Sequence, residues 1–300
     1  MKCSVVIRVL NEKENLHRLI KLLEGQKKVE FELIVIDSGS EDGTVEMLKD
    51  YNFNYPFYFT SIQKDEFSFG KALNKAIYLS TFKKIILSIS AHCFPTNSYY
   101  LYNMVKHFDN TKIGLVYGRQ IGDSKSPLSE VNHLSKWFPE KNDFPENLFC
   151  NNGSSAFRYS DWEKFKFDER VSGCEDVLFS LMLNTDNKKV LYEPDSVVTH
   201  FHDENFKTVF NRYKRESNLI KSLFNHNLSL ANTIHSIFSE IYSDILFRTN
   251  KNYPKSSFFH IISYRVAKNL GQFFGKNNIK SFNIHFQEIE KVKLINHYYY

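Results

Sequence analysis

The feature that most constrains the fold is the alternation of strand-type and helix-type runs over the first 120 residues. Residues 5–7, 31–36 and 84–89 are short, apolar and β-rich, whereas residues 14–23, residues 45–49 and a segment starting near Gly70 carry apolar side chains at helical spacing. This order predicts βαβ units, in which helices join parallel strands and cover the sheet. The expected fold class is therefore α/β with a mainly parallel sheet.

Polar residues follow three of these predicted strands. Asn11 and Glu12 come after the first, Asp37 ends the second, and His92 lies just beyond the third, next to Ser90. In open α/β sheets, ligands bind outside the carboxyl ends of the parallel strands. The sequence therefore predicts that these side chains converge on one rim of the sheet and form a ligand site.

The second half of the chain changes character. Residues 113–200 are mixed, with strands predicted at 113–117 and 189–192, and from residue 205 the apolar spacing is helical. Two helical faces over residues 206–224 and 230–245 are followed by a break at 250–254 and a third helix over 258–274. We therefore expect an α/β domain over residues 1–203 and a mainly helical extension over 204–300.

Charge separates the same two regions. Residues 201–300 hold 14 Lys and Arg against 7 Asp and Glu, whereas the first 200 hold 25 against 27. The basic excess is consistent with helices packed on the α/β domain, and also with peripheral contact with anionic lipid. The candidate lipid-binding side chains are Lys207, Arg212, Lys214, Arg215 and Lys221. No nucleic-acid-binding motif is present, so no nucleic-acid partner is expected.

The remaining composition points to a cytoplasmic protein. No apolar run approaches the roughly 18–20 residues that span a bilayer, and the first residues do not form a signal peptide. The four cysteines are far apart and form no CxxC pair, which favours reduced thiols over a disulfide framework or a zinc site. We expect a cytoplasmic location, with the inner face of the cytoplasmic membrane as a candidate site of action.

Seven motifs resemble those of family 2 glycosyltransferases with the GT-A fold. They are residues 4–12 (SVVIRVLNE), 34–44 (IVIDSGSEDGT), 67–74 (FSFGKALN), 87–95 (LSISAHCFP), 150–156 (CNNGSSA), 173–176 (GCED) and 194–200 (PDSVVTH). They occur in the family's order and cover roughly residues 3–202. The resemblance implies a Rossmann-like, mixed and mainly parallel sheet, and transfer of a sugar from a nucleotide donor.

The resemblance also implies which residues bind the nucleotide. These are Leu10, Asn11, Glu12, Asp37, Lys71 and Ser90. Asp37 would accept a hydrogen bond from the base, and Lys71 would meet the base or the phosphates. The alternatives are an Asx turn or helix cap for Asp37 and a solvated surface position for Lys71.

The sequence Ser90-Ala91-His92 stands where the family usually has Asp-X-Asp, the acidic pair that holds a divalent metal on the donor diphosphate. The resemblance implies a divalent metal, Mn²⁺ or Mg²⁺. Imidazole suits Mn²⁺ less well than carboxylate does, so the absence of Asp-X-Asp leaves the use of a metal undecided. His92 and His200 are the implied metal ligands. His92 could instead bind the diphosphate directly or be only structural.

Glu175 and Asp176 resemble the family's acidic pair that supplies the catalytic base. Inverting transfer needs a carboxylate to take the proton of the acceptor hydroxyl. Asp176 is expected to be the base and Glu175 its partner; the roles could be exchanged, or both could be acids placed at a helix N-terminus by the macrodipole. The implied donor or acceptor pocket consists of Arg119, Asn151, Asn152 and His202.

The predicted activity is inverting transfer from a UDP or dTDP sugar to a hydroxyl of a growing bacterial surface glycan, such as capsule, O-antigen or lipooligosaccharide, free or lipid-linked. The main alternative is a non-catalytic nucleotide-sugar-binding or scaffold protein that has lost the Asp-X-Asp site. A glycoside hydrolase is less compatible, because its two carboxylates flank a glycosidic bond and adjacent Glu175 and Asp176 do not easily reach that separation.

Overall fold

The computed structural model describes residues 1–123, 125–141, 150–171, 173–201, 204–224, 227–251 and 258–277. Within them, one mixed sheet has eight strands in the order β3-β2-β1-β4-β7-β6-β8-β5. The strands are β1 (Lys2–Val9), β2 (Glu30–Asp37), β3 (Phe57–Ser61), β4 (Ile85–Ile89), β5 (Cys93–Pro95), β6 (Ile113–Ile121), β7 (Ser154–Arg158) and β8 (Lys189–His200).

The described part of the chain contains ten α-helices. They are α1 (Lys13–Glu24), α2 (Thr44–Asp50), α3 (Phe69–Ile77), α4 (Tyr100–Val105), α5 (Leu128–Trp137), α6 (Tyr159–Phe165), α7 (Glu175–Thr185), α8 (Phe206–Phe224), α9 (Leu230–Lys251) and α10 (Phe258–Lys276). The alternation predicted from the first 120 residues is confirmed, and so are the three C-terminal helices.

The strands β3, β2, β1 and β4 form a parallel half-sheet. Its β1 and β2 strands are buried along nearly their whole length, because helices cover the sheet. Helix α1 contributes Leu16, Leu19, Ile20 and Leu23 to the main core, and each fully buried leucine is worth about 1.5–3 kcal/mol. Strand β7 then pairs antiparallel with both β4 and β6.

Two strands are longer than the sequence predicts. Strand β6 continues to Ile121 and β8 to His200, and the register between them shifts from Gly118 opposite Glu193 to Arg119 opposite Val197. The extra β8 residues include Pro194, which normally ends a strand but is accommodated at a bulge. At Gly118, a Cβ atom would lie 2.6 Å from the Ser196 carbonyl oxygen. The close approach therefore requires glycine.

The chain divides into two compact units. Among the described residues, the first contains residues 1–121 and 138–200, and the second contains 122–137 together with the residues from 201 onward. Helix α5 thus packs with α9 and α10 rather than with the sheet. The predicted division at residue 203 stays a prediction. Residues 122–137 belong to the second unit although they precede that position in the sequence.

The second unit contains a close helix contact and a buried ionic network. Cβ atoms added at Gly271 and Gly275 of α10 would lie 2.5 and 2.4 Å from carbonyl oxygens of α8, so the backbones touch. Arg265 of α10 binds Asp244 of α9, with Nε donating to Oδ2 at 2.7 Å, and Asp244 also accepts from Ser129 of α5. This network joins three helices. No described helix is long and apolar enough to cross a membrane.

Candidate active site

The rim of the parallel half-sheet brings the predicted polar residues together. Glu12 follows β1 and His92 follows β4, its neighbour in the sheet; Glu12 Oε1 lies 2.8 Å from His92 Nδ1. Because an ionised carboxylate only accepts hydrogen bonds, Nδ1 of His92 carries the proton. Glu12 also accepts a hydrogen bond from Asn15 at 2.7 Å. The contacts of the Glu12 carboxylate in the structure are therefore to His92 and to Asn15 of α1.

The electrostatics of Glu12 agree with this pairing. Burial alone would raise the pKa of Glu12, but hydrogen bonds from His92 and Asn15 lower it, and the net pKa lies below the ordinary value. Glu12 is consequently ionised at neutral pH. It can hold the His92 ring in one tautomer and one orientation.

The loop after β2 is tied to the loop after β1. Gly39 and Gly43 have φ values of 95° and 86°, a left-handed conformation that favours glycine. The loop supplies the Ser40 hydroxyl, which accepts from the Asn11 backbone N–H at 2.8 Å. In return, the Asn11 side chain accepts from the Glu41 N–H at 2.8 Å. Asn11 itself has φ 56°, which asparagine tolerates better than most residues.

Asp37 ends β2 at this rim and is buried, at 4% exposure. Its Oδ2 accepts from the backbone N–H groups of Gly39 and Ser40, at 2.8 and 3.1 Å. These contacts are those of an Asx turn, the structural alternative raised by the sequence. They leave the role in base recognition as a prediction, since each carboxylate oxygen can accept more than one hydrogen bond.

The other predicted nucleotide-binding residues are less constrained. Leu10 is half exposed. Lys71, in the first turn of α3, lies 3.6 Å from Glu66 and is also accessible. The Ser90 backbone N–H donates to the Gly153 carbonyl at 3.2 Å, which fixes the turn that presents His92.

The two predicted metal ligands lie next to each other. The rings of His92 and His200 stack with centroids 5.2 Å apart and an interplanar angle of 17°. Nδ1 of His200 donates to Gln120 Oε1 at 2.6 Å. Both imidazoles are therefore held in the Nδ1–H tautomer, which places the lone pair on Nε2, the atom that could bind a metal or accept a proton.

This donor set fits a divalent cation only in part. Histidines that bind metals commonly donate their other ring N–H to a carboxylate or an amide oxygen, as His92 and His200 do to Glu12 and Gln120. However, no group of three or more His, Cys, Asp or Glu side chains in the described ranges could hold a metal ion. A cation bound by His92 and His200 would thus need further oxygen ligands from a bound donor diphosphate.

The acidic pair opens α7, directly after Cys174, which adopts a left-handed φ of 54°. Glu175 is buried, and its Oε1 accepts from Asn152 Nδ2 at 3.3 Å. Asp176 is half-buried and accepts two backbone N–H bonds, from Asn152 and Val177, both at 2.8 Å. Asp176 is therefore the more exposed residue of the two, and backbone groups orient its carboxylate.

Burial, followed by the charge of Glu175, raises the pKa of Asp176 to about 7. The two backbone hydrogen bonds and the Arg8 guanidinium act in the opposite direction. A carboxylate whose pKa lies near neutrality can accept a proton and release it at physiological pH. Perturbed acids of this kind concentrate at functional sites.

The predicted pocket residues occupy different surroundings. Asn152 bridges the acidic pair, while Asn151 Oδ1 accepts from the Gly153 N–H at 2.8 Å and shapes the turn before β7. Arg119 lies 3.0 Å from Glu140 Oε1, so its observed partner is an exposed carboxylate. His202 lies outside the described residues.

Sequence reasoning assigned no role to Arg8 or Gln120. Gln120 lies on β6 beyond the predicted end of that strand, so its place at the rim was not foreseen. Arg8 is charged yet lies within a buried β1 run, and that contrast was the available signal. Glu12 was expected near the nucleoside, and its bond to His92 depends on the pairing of β1 with β4.

Comparison with known proteins adds to this geometry. A sequence model of glycosyl transferase family 2 matches residues 4–164. The O-antigen chain rhamnosyltransferase RfbN of Salmonella typhimurium (strain LT2) is 27% identical over 224 residues, covering 71% of this chain and 70% of that protein.

Solved structures share the fold. The mannosyltransferase PcManGT of Pyrobaculum calidifontis, in complex with GDP-Man and Mn²⁺, has a TM-score of 0.60 at 15% identity, covering 91% of this chain and 84% of its own. S. aureus TarS 1–349 in complex with UDP-GlcNAc has a TM-score of 0.56 at 17% identity, covering 88% and 78%. The predicted fold class is confirmed.

Proposed function

Because this chain belongs to glycosyl transferase family 2 and is a glycosyltransferase, we propose that it transfers a sugar, with inversion, from a nucleoside-diphosphate donor to a hydroxyl of a growing surface glycan. The observation that carries the proposal is Asp176, an accessible, backbone-oriented carboxylate with a raised pKa at the rim of the sheet. The glycan class is suggested by the similarity to an O-antigen rhamnosyltransferase. Capsule and lipooligosaccharide are also candidates, because sugar transfer to a glycan hydroxyl is the same reaction in each.

In the proposed step, Asp176 accepts the proton of the acceptor hydroxyl. The hydroxyl oxygen forms a bond to the anomeric carbon as the bond from that carbon to the diphosphate breaks, and the nucleoside diphosphate leaves with the electron pair. Attack from the face opposite the leaving group inverts the anomeric centre. General-base assistance of this kind contributes about 10²- to 10⁴-fold to rate.

The leaving diphosphate is proposed to lie near His92 and His200. A divalent cation there would be held by these two imidazoles and would neutralise the charge that develops on the diphosphate. The alternative is direct hydrogen bonding from His92 to the diphosphate. Glu12 and Gln120 serve either case, because each fixes the orientation of its histidine partner.

The donor is proposed to be a UDP or dTDP sugar. Support comes from the similarity to TarS in complex with UDP-GlcNAc and to a rhamnosyltransferase, while the similarity to a mannosyltransferase in complex with GDP-Man makes GDP the comparison to test. Asp37, Asn11 and Lys71 are proposed to meet the nucleotide at the rim.

The first test is a thermal-shift screen with UDP, dTDP, GDP and CDP, each with Mn²⁺, Mg²⁺ or EDTA. A nucleotide at 100 times its Kd adds about 2.7 kcal/mol to the stability. A shift lost in EDTA supports the metal, and a shift that survives EDTA supports direct binding by His92. No shift with any nucleotide favours the scaffold alternative.

The second test separates an enzyme from a binding protein. Purified protein, nucleotide sugar and acceptor glycan are mixed, and release of nucleoside diphosphate is followed. The Asp176→Asn variant should lose about 10²- to 10⁴-fold in kcat and keep the nucleotide-induced thermal shift. Donor binding without acceptor-dependent release by the unaltered protein would favour the non-catalytic alternative.

We also propose that the enzyme is cytoplasmic and that its second unit contacts an anionic membrane surface, where the enzyme reaches a lipid-linked acceptor. One set of side chains on α9 is large, apolar and exposed: Leu230, Ile234, Phe238, Tyr242, Ile245 and Leu246. The two acids of α9, Glu240 and Asp244, instead bind basic residues of α10. An apolar helix face without carboxylates suits the interface of anionic lipid.

The basic residues contribute unequally to this contact. Lys207 and Lys214 are exposed on α8, whereas Arg212 is largely buried and lies 2.5 Å from Glu204, so its observed partner is a carboxylate. Co-sedimentation with vesicles of phosphatidylcholine, with and without phosphatidylglycerol, tests the contact. Phe238→Ser should weaken binding to the anionic vesicles, and Leu79→Ser, at an exposed position in the first unit, should not. Equal binding by both variants would contradict the assignment to α9.

A further inference from the structure

Arg8 is the penultimate residue of β1, a strand that is otherwise apolar from Val5 to Val9. Its side chain is only 21% exposed. A charged side chain in a central strand is rare unless it is paired. Its partners therefore indicate why the strand carries an arginine.

Two partners lie on helices that end at the rim. The Arg8 guanidinium carbon is 4.5 Å from the centroid of the Phe69 ring, in the first turn of α3. Its Nη2 is 4.0 Å from Glu175 Oε1, in the first turn of α7. The same Glu175 oxygen accepts a hydrogen bond from Asn152 Nδ2 at 3.3 Å, so it has one ionic and one hydrogen-bonding partner.

We propose that Arg8 is a positioning residue of the acidic pair: its guanidinium holds the Glu175 carboxylate against Asn152, so that Asp176 alone is presented to the acceptor hydroxyl. The inference deepens the proposed function and rests on it. It assigns the base to Asp176 and gives Glu175 a supporting role. The distinction follows from contact and exposure, because Glu175 is buried between two partners while Asp176 is half-buried.

The charge of Arg8 also acts on Asp176. The titratable and charged groups around Asp176 include Glu175 on its own helix, Arg8 on β1 and the buried Cys150 thiol before β7. Burial and the two carboxylates raise the pKa of Cys150 well above the ordinary value, so that thiol stays neutral. Glu175 raises the pKa of Asp176 and Arg8 lowers it. Removing Arg8 should keep the proton on Asp176 to higher pH.

The experiment compares pH profiles of kcat/KM for the full chain and its variants. Arg8→Gln should move the acid limb upward by about one pH unit, the lower end of what a neighbouring opposite charge contributes. Arg8→Lys should restore most of that shift. Arg18→Gln is the matched control, because Arg18 also stacks on a phenylalanine ring, Phe94, at 3.9 Å but is assigned no part in the acidic pair. Its profile should be unchanged.

A second variant tests the assignment from the opposite side. Glu175→Gln removes a like charge beside Asp176, so the acid limb of its pH profile should move to lower pH. An inactive Glu175→Gln beside an active Asp176→Asn would overturn the proposal by exchanging the roles. If Arg8→Gln lowers kcat/KM equally at every pH and leaves the acid limb unshifted, Arg8 has only a structural role and the proposal is overturned.

A readout without turnover separates this inference from the proposed function. In protein labelled with ¹³C-aspartate, the carboxyl resonance absent from Asp176→Asn identifies Asp176. Its titration should move upward in Arg8→Gln and downward in Glu175→Gln. If the titration of the Asp176 resonance is the same in both variants as in the unaltered protein, the inference is contradicted even if sugar transfer is observed. If the titration moves as expected but no transfer is observed, only the proposed function is contradicted.

Discussion

Asn74 provides the sharpest test of whether a motif residue is structural or functional. It is the last residue of the motif at 67–74 and is buried on α3. Its Nδ2 donates to the Phe167 carbonyl and to Glu169, both at 2.9 Å. Its Oδ1 accepts from Trp162 Nε1 at 2.9 Å and from the Phe167 N–H at 3.0 Å. The side chain thus joins α3 to the segment after α6.

Replacement by alanine removes all four hydrogen bonds. The buried groups left behind are Trp162 Nε1 and the N–H and C=O of Phe167, whereas Glu169 can turn toward water. At about 1–3 kcal/mol for each of these three buried groups that loses its partner, Asn74→Ala should lower the free energy of unfolding by about 3–9 kcal/mol. That is a large part of the stability of a domain, about 5–15 kcal/mol.

Urea unfolding followed by tryptophan fluorescence measures this loss, because Trp162 reports on the site directly. The midpoint should fall while the slope with urea stays the same. Asn103→Ala is the matched control, since Asn103 makes an exposed hydrogen bond of 3.2 Å to the Asp195 carbonyl; its cost should stay within about 0.5 kcal/mol. A loss below about 1 kcal/mol in Asn74→Ala, with weakened nucleotide binding, would refute the structural assignment.

Four further predictions concern the rim and the packing. Turnover of the unaltered protein should rise with pH through about 7, because Asp176 must be deprotonated to act as a base; a profile flat from pH 5 to 9 would contradict this. Glu12→Ala should weaken nucleotide binding or turnover by about 10- to 100-fold through loss of His92 orientation, measured by calorimetry against the control Glu14→Ala. Glu32→Ala should cost about 3 kcal/mol or more in urea unfolding, because the Glu32 carboxylate accepts buried bonds from Ser4 and the turn at 80–82. Gly275→Ala gains about 1 kcal/mol of helix propensity, yet its Cβ would lie 2.4 Å from a carbonyl of α8, so thermal melting should show a net loss; a higher Tm would disprove the close packing.

The regular parts of the fold could be predicted because their signals are local. The limits of helix α1 and strand β2 lie within one residue of those expected from the sequence. The reason is that apolar residues repeat every 3.6 positions on the buried face of a helix and run continuously in a buried strand. Strand β7 and helix α5 were not predicted. Strand β7 has five residues, and its antiparallel place between β4 and β6 depends on partners far away in the sequence.

The site divides in a similar way. The ends of the predicted parallel strands were enough to nominate His92, whereas His200 and the acidic pair were nominated by the resemblance to family 2 glycosyltransferases. The contacts that give these residues their chemistry could not be read from spacing. Gln120 meets His200 across 80 positions of sequence, and Arg8 meets Glu175 across an even longer interval.

The sequence by itself determined the α/β class, the alternation of strands and helices in the first βαβ units and the residue types available at the rim, because periodicity and turn chemistry act over a few neighbouring residues. The tertiary structure decided which tautomer each histidine adopts, which of two adjacent carboxylates is accessible and what raises the pKa of Asp176. Those properties depend on burial and on the charge of groups brought within about 4 Å, and such distances exist only after the sheet and α7 have packed.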